Sequence, residues 1–156
     1  MTVRFVHVNL VARDWRRLAA FYQEVFSCVP VPPERHLHGD WLERATGLPG
    51  AALDGMHLQL PSQDGAGITL EVFQYSDVCQ QYPPSPNRQG FGHIAFEVDD
   101  VPAAVESVLS HGGSLVGELV VRPIEGVGTI TFAYARDPEG NIIELQQWDR
   151  SQAWTK

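Results

Sequence analysis

The alternation of hydrophobic and polar positions in the first half of the chain predicts a strand followed by a helix. Residues 3–12 (VRFVHVNLVA) are typical of a strand. Asp14 follows as the predicted helix N-cap, and apolar side chains then recur at helical spacing from Trp15 to Phe26. The rest of this half is predicted to be an irregular segment rich in proline and glycine (27–53) and two strands (54–61 and 67–75).

The same order of elements starts again in the second half of the chain. Asp100 is the predicted N-cap of a helix that has Pro102 in its first turn and ends at Gly112 and Gly113. The predicted strands are 90–98 before this helix and 115–122, 128–136 and 141–148 after it. We therefore expect each half to fold in the order strand–helix–strand–strand–strand, or βαβββ.

The two halves align as an internal repeat. Placing His7 on His93 also superimposes the two capping aspartates. Placing TLEVFQY on IIELQQW superimposes Glu71 on Glu144. The histidine and the glutamate are farther apart along the chain in the first copy than in the second. The first copy is therefore predicted to carry an insertion, which the proline- and glycine-rich segment would contain.

The repeat and a proline-rich stretch predict the organisation of the chain. The composition changes at QQYPPSPNRQG, which separates the two copies. The expected parts are a first βαβββ module (1–79), a linker (80–89), a second βαβββ module (90–148) and a C-terminal tail (149–156).

Each copy carries a histidine in its first strand and a glutamate in its last strand. The four residues are His7, Glu71, His93 and Glu144. Carboxylates in buried strands need compensation, because an unpaired charge is almost never fully buried. A divalent cation would supply it, and imidazole with carboxylate suits Zn²⁺, Ni²⁺, Co²⁺, Mn²⁺ or Fe²⁺. The alternative is four separate residues at the rim that pair with arginines such as Arg122.

Net charge and cysteine count narrow the classes of partner and the setting. The formal net charge of −8 and the lack of a basic patch argue against a nucleic acid or an anionic membrane as partner. Cys28 and Cys79 show no CxxC spacing, so neither a disulfide framework nor a zinc finger is expected. The sequence also shows no apolar targeting segment and no run long enough to span a membrane, so we expect a cytoplasmic protein.

Four segments of the chain resemble the vicinal oxygen chelate superfamily. They are HVNLVARDWRRLAAFYQEVF, TLEVFQY, GFGHIAFEVDD and DPEGNIIELQQW, within residues 3–148. This superfamily includes glyoxalase I, methylmalonyl-CoA epimerase, extradiol dioxygenases and bleomycin- or fosfomycin-resistance proteins. The resemblance implies an α+β fold, in which two βαβββ modules form a cup-shaped mixed sheet around a metal. The superfamily's ligand positions fall on His7, Glu71, His93 and Glu144.

The resemblance also implies a class of chemistry. A metal would bind vicinal or 1,3-related oxygens of a small-molecule substrate and hold an enolate-type intermediate. A set of two histidines and two carboxylates is similar to that of glyoxalase I and the epimerases. We therefore expect a metal-dependent epimerase or isomerase that removes a proton next to a carbonyl. The alternatives are a glyoxalase I-type lactoylglutathione lyase, an extradiol-type dioxygenase and a non-enzymatic small-molecule binding or resistance protein.

Several carboxylates and one histidine are candidates for the catalytic base. Glu71 or Glu144 could act after leaving the metal, and Asp54 is the candidate by similarity to the epimerases. His57 and Glu43 are further candidates.

Three features bear on the substrate and the assembly. The insertion in segment 27–53 is expected to line or cover the cup. A CoA substrate would need cations for its phosphates, for which Arg35, Arg44, Arg88 and Arg122 are available. A homodimer is possible, because open sheets leave edges to cover.

Overall fold

The computed structural model describes residues 2–62, 67–79 and 84–151. The chain divides into two compact units, residues 1–80 and 81–156. Each unit carries a mixed sheet with helical elements, so the expected α+β class is confirmed. The expected linker falls partly at residues 80–83, and the expected tail largely at residues 152–156, which lie outside the described residues.

The first unit is a four-stranded sheet with two helices. Its elements are β1 (His7–Val11), α1 (Trp15–Phe26), β2 (Val29–His38), α2 (Asp40–Thr46), β3 (Ala52–Gln59) and β4 (Thr69–Tyr75). The strand order is β1-β4-β3-β2, with β1 and β4 parallel and the other pairs antiparallel. The outermost strands are therefore the histidine-bearing β1 and the insertion strand β2.

Helix α1 packs on one face of this sheet. The Asp14 carboxylate accepts a hydrogen bond from the backbone N–H of Arg17 at 3.1 Å, which is the predicted N-cap. The backbone N–H of Trp15 donates to Gln74 Oε1 at 3.2 Å, which fixes the start of the helix on β4. Side chains alternate between the two faces of a strand, so Leu70 and Val72, both fully buried, face α1 together with Gln74.

The second unit repeats the arrangement with a five-stranded sheet. Its elements are β5 (Ile94–Glu97), α3 (Val101–Ser110), β6 (Ser114–Leu115), β7 (Val120–Ile124), β8 (Gly128–Arg136) and β9 (Ile142–Asp149). The strand order is β5-β9-β8-β6, and β7 also pairs with β8. Asp100 caps α3 by accepting from the backbone N–H of Ala103 at 2.9 Å, so the second predicted cap is also confirmed.

The strand registers of the two units match residue for residue. In the first unit, Asn9 lies opposite Glu71 in the parallel pair β1–β4. In the second, Ala95 lies opposite Glu144 in the parallel pair β5–β9. Each glutamate therefore faces the second position after the histidine of its own unit, as the alignment of the two copies requires.

Three element predictions were wrong. Segment 27–53 is not irregular, because it contains strand β2 and helix α2. Proline is tolerated in β2 because it is an edge strand, and the register shifts between Val31 and Arg35. The single strand predicted for 115–122 is two short strands, β6 and β7. His93 lies just before the strand that was predicted to contain it, since β5 begins at Ile94.

Two further findings concern the chain as a whole. In the described part of the chain, no helix is long and apolar enough to cross a membrane. Both cysteines are free, with Cys28 buried and Cys79 exposed. Burial raises the pKa of the Cys28 thiol to about 11, so this thiol stays protonated at neutral pH.

Candidate metal-binding residues

The first unit brings three polar side chains together on the sheet face opposite α1, which we call the Glu71 face. Glu71 Oε1 lies 3.5 Å from His7 Nδ1 and 3.2 Å from His57 Nε2. The Glu71 side chain is only 12% exposed. The register explains this cluster, because His57 lies directly opposite Glu71 in the antiparallel pair β3–β4. A largely buried carboxylate is thus held between two imidazoles.

The surroundings of His57 favour its neutral form. Burial lowers its pKa, and the neighbouring Arg35 and His7 side chains lower it further, while Glu71 opposes them. The ring also lies edge-on to Phe73, with the ring centres 5.8 Å apart. A neutral imidazole has one ring nitrogen without a hydrogen, which is able to accept a proton.

The second unit holds the corresponding pair. Glu144 Oε2 lies 2.9 Å from His93 Nε2, and the Glu144 side chain is 14% exposed. Tyr134 lies opposite Glu144 in the antiparallel pair β8–β9, and its hydroxyl donates a hydrogen bond to this carboxylate. Burial raises the pKa of Tyr134, and the charge and hydrogen bond of Glu144 raise it further, so the phenol stays protonated. The Tyr134 ring also packs on His93, with the ring centres 5.1 Å apart.

Asp54 lies away from these residues. It lies opposite Gln74 in β3–β4, and alternation puts both on the face against which α1 packs. Its Oδ1 is 2.6 Å from Nδ1 of His36 on the neighbouring strand. The structure therefore does not bring Asp54 to Glu71, and it brings His57 there instead. Glu43, the remaining candidate base, lies on α2.

Helix α2 covers part of the Glu71 face. Its buried residue Leu42 forms an apolar cluster with Leu53 and Phe73 of that face, with Ala51, Leu37 and Tyr75 packed alongside. Leu53 and Phe73 share their face with His57 and Glu71, because they are an even number of positions away along the same strands. The insertion thus supplies an apolar wall beside the polar cluster.

The donor chemistry of the two pairs fits a divalent metal. Each pair offers an imidazole nitrogen and a largely buried carboxylate, which are ligands that Zn²⁺, Ni²⁺ and related ions accept. A carboxylate removed from water requires a compensating charge, which a metal would provide. Among residues 2–62, 67–79 and 84–151, no group of three or more His, Cys, Asp or Glu side chains is arranged to hold an ion. The pairs that occupy equivalent positions in the two units are His7 with Glu71 and His93 with Glu144.

Tyr134 was not identified from the sequence, although one signal could have found it. Strands were predicted on both sides of the DPEGN segment (137–141), and counting outwards from the middle of this segment along an antiparallel pair places Tyr134 opposite Glu144. Tyr134 is half-buried, and a tyrosine in such a position usually finds a hydrogen-bond partner for its hydroxyl, so its contact with the carboxylate was open to prediction.

A family model and curated relatives match parts of this sequence. The model of the Glyoxalase/Bleomycin resistance protein/Dioxygenase superfamily matches residues 4–145. A probable lactoylglutathione lyase of Vibrio parahaemolyticus is 40% identical over 63 residues, which are 40% of this chain and 44% of that protein. The match thus spans less than half the length of this curated relative.

Solved structures show the same fold. A glyoxalase family protein from Bacillus cereus superimposes with a TM-score of 0.80 at 23% identity, covering 95% of both chains. A mutant of glyoxalase I from Zea mays gives a TM-score of 0.62 at 24% identity, covering 92% of this chain and 44% of that one.

Proposed function

Because the chain belongs to the glyoxalase/bleomycin resistance/dioxygenase superfamily, we propose that it is a metal-dependent enzyme that moves a proton between neighbouring carbons of a small-molecule substrate, as a lactoylglutathione lyase does. The names of the curated relatives favour this activity over the epimerase expected first from the sequence. The observation that carries the proposal is the pair of matched histidine–glutamate contacts, one in each unit.

We propose His7, Glu71, His93 and Glu144 as the residues that would hold the metal. When bound, a divalent ion would polarise the substrate oxygens as a Lewis acid. The protein's own groups would bind the substrate and move the proton. The residues fit several metals equally well, so the proposal does not specify which ion is native.

The two carboxylates differ in a way that suggests their roles. Glu144 is held by a 2.9 Å contact to His93 and by a hydrogen bond from the Tyr134 hydroxyl, so its position is the more firmly fixed of the two. Glu71 has longer contacts, 3.5 Å and 3.2 Å, to two imidazoles. We therefore assign the base to Glu71, with the neutral His57 ring available to take the proton onward, and we assign Glu144 to a fixed ligand position.

The reaction would then balance without an oxidant. In a hemithioacetal, the C–H bond at the carbon that bears sulfur breaks, and its proton passes to Glu71. A C–H bond forms at the neighbouring carbonyl carbon, and the hydroxyl proton moves from the first oxygen to the second. The product is a 2-hydroxy thioester, an isomer of the starting adduct. An epimerase would use the same first step and return the proton to the same carbon.

The test follows product and deuterium together. Protein loaded in turn with Zn²⁺, Ni²⁺, Co²⁺ or Mn²⁺ is given the methylglyoxal–glutathione hemithioacetal in deuterated water, and thioester formation is followed by ultraviolet absorbance and mass spectrometry. A parallel reaction with methylmalonyl-CoA measures exchange of the α-proton. Thioester formation supports the lyase. Exchange without thioester formation would move the assignment to an epimerase.

Two further outcomes would overturn the proton-transfer proposal. Oxygen uptake with a catechol by protein loaded with Fe²⁺ would indicate a dioxygenase. If no reaction occurs and ligand binding is unaffected by chelator, the protein is a non-enzymatic binding or resistance protein.

Replacing Tyr134 with phenylalanine should lower metal affinity by about tenfold to a hundredfold. The substitution removes the hydroxyl that holds the Glu144 carboxylate, and loss of a hydrogen bond to a metal ligand has effects of this size. The dissociation constant is measured by competition with a chromogenic chelator. Tyr75→Phe removes the same atom from the cluster around Leu42 and should leave the constant unchanged. Equal constants for Tyr134→Phe and wild type would contradict the role of Tyr134.

A further inference from the structure

Arg35 lies on the Glu71 face, next to the residues proposed for proton transfer. It lies opposite Gly55 in the antiparallel pair β2–β3, and Gly55 is two positions from His57 on the same face. Val31 lies opposite His57 and is on this face as well. The register shift between Val31 and Arg35 therefore leaves both side chains on the same face of the sheet. The side chain of Arg35 is half-buried.

The guanidinium of Arg35 has no carboxylate partner within the described ranges. It donates a hydrogen bond to the backbone carbonyl of Pro33. The two acidic residues nearest to it on β2 and β3 are engaged elsewhere: Glu34 pairs with Arg16 of α1 at 2.9 Å, and Asp54 pairs with His36 at 2.6 Å. A half-buried cation in a chain of net charge −8 thus keeps most of its donors available for a ligand.

The shape of the Arg35 side chain suits an anionic ligand. Arginine presents its N–H groups in a planar fork that matches a carboxylate or a phosphate.

We propose that Arg35 binds an anionic group, a carboxylate or a phosphate, of the substrate whose reacting end lies at Glu71. The inference rests on the proposed function and adds a substrate class to it. The substrate carries its negative charge on the side of β2 and α2, beside the apolar wall of Leu53 and Phe73. A glutathione adduct has carboxylates that can fill this role, whereas an adduct of a neutral thiol does not. Arg35 is then a specificity-determining residue.

The test separates binding of the reacting end from binding of the charged end. Two hydroxamates with the same chelating group are used: acetohydroxamate, which has a neutral tail, and succinic monohydroxamate, which ends in a carboxylate. Their dissociation constants with metal-loaded wild type, Arg35→Gln, Arg35→Lys and Arg17→Gln are measured by titration calorimetry. Arg17 is an exposed residue of α1, so its substitution removes the same charge away from the Glu71 face.

The proposal is tested by the ratio of the two dissociation constants, which measures how strongly each protein prefers the carboxylate tail. Wild type and Arg17→Gln should bind succinic monohydroxamate at least about tenfold more tightly than acetohydroxamate, which is the effect of one charge-assisted contact. Arg35→Gln should lose that preference and Arg35→Lys should keep part of it. A wild type without the preference, or an Arg35→Gln variant that keeps it, would overturn the assignment of Arg35. A wild type that binds neither hydroxamate would instead overturn the proposed metal-dependent function.

Two controls distinguish the loss of the Arg35 contact from a loss of folding. Thermal unfolding of each variant is recorded beside wild type, and Arg35→Lys retains the long side chain that packs on the sheet. The adducts of methylglyoxal with 3-mercaptopropionate and with 2-mercaptoethanol then extend the comparison to turnover. The ratio of their kcat/KM values should change in Arg35→Gln in the same direction as the hydroxamate affinities.

Discussion

Replacing Glu71 with alanine is expected to reduce the metal content of the purified protein from about one divalent ion per chain to a small fraction of that value. The Glu71 carboxylate is largely buried against the imidazoles of His7 and His57, so its loss removes both a ligand and the negative charge that favours the ion. Loss of a group that merely supports a ligand lowers metal affinity about tenfold to a hundredfold. Loss of the ligand itself should exceed that range, and the proposed proton transfer should stop with it. The measurement is elemental analysis by mass spectrometry of protein purified without a chelator or a histidine tag.

The control removes a carboxylate of the same kind elsewhere. Glu97 lies on β5, is well exposed and pairs with Arg150 at 3.7 Å, so Glu97→Ala should retain the wild-type metal content. Glu144→Ala should behave like Glu71→Ala, because the repeat gives the two glutamates equivalent positions. Two ions per chain in the wild type, or an unchanged content in Glu71→Ala, would contradict a single set of four ligands. A wild type that binds no metal after reconstitution would favour the non-enzymatic binding protein.

The repeat is what made most of the fold and the four candidate ligands predictable from sequence. Two copies of a pattern constrain each other: the histidines and the glutamates can both be equivalent only if the two units pair their first and last strands in the same register. The N-caps were equally open to prediction, because the capping side chain bonds to a backbone N–H in the first turn of its own helix. The helix caps, which are local signals, and the internal repeat, which relates distant parts of the chain, therefore predicted the same fold.

The insertion was not predictable because its structure depends on distant contacts. Its prolines are signals against a strand, yet β2 needs only one partner and accommodates them at the sheet edge. Helix α2 is too short to be stable alone, and the packing of Leu42 on Leu53 and Phe73 stabilises it.

The choice between Asp54 and His57 as a neighbour of Glu71 shows the same limit. The two residues are three positions apart on one strand, so they must lie on opposite faces. Only the register decides which of them lies opposite Glu71, and a shift by a single position would exchange their environments. Spacing in the sequence narrowed the base to this strand, and the pairing with β4 places His57 at the carboxylate.

Replacing Gly55 with alanine is expected to destabilise the protein by about 3 kcal/mol, which is near the upper end of the cost of overpacking a core. An added Cβ would overlap the carbonyl oxygen of Val72 and the ring and backbone of Phe73, so β3 and β4 would have to separate where they carry His57 and Glu71. The free energy of unfolding is obtained from urea denaturation, and the melting temperature should fall on the order of 10 °C.

The matched control is an alanine at an open glycine, and it isolates the overlap from the general effect of replacing glycine. Apart from Gly117 itself and its two chain neighbours, no atom of the described residues lies within 4 Å of a Cβ added at Gly117, so Gly117→Ala should be neutral or slightly stabilising through the unfolded state. Separation of β3 from β4 should also weaken metal binding in Gly55→Ala, because His57 and Glu71 lose their alignment across the strand pair. A Gly55→Ala variant within about 0.5 kcal/mol of wild type would mean that the two strands are not packed as closely as this register requires.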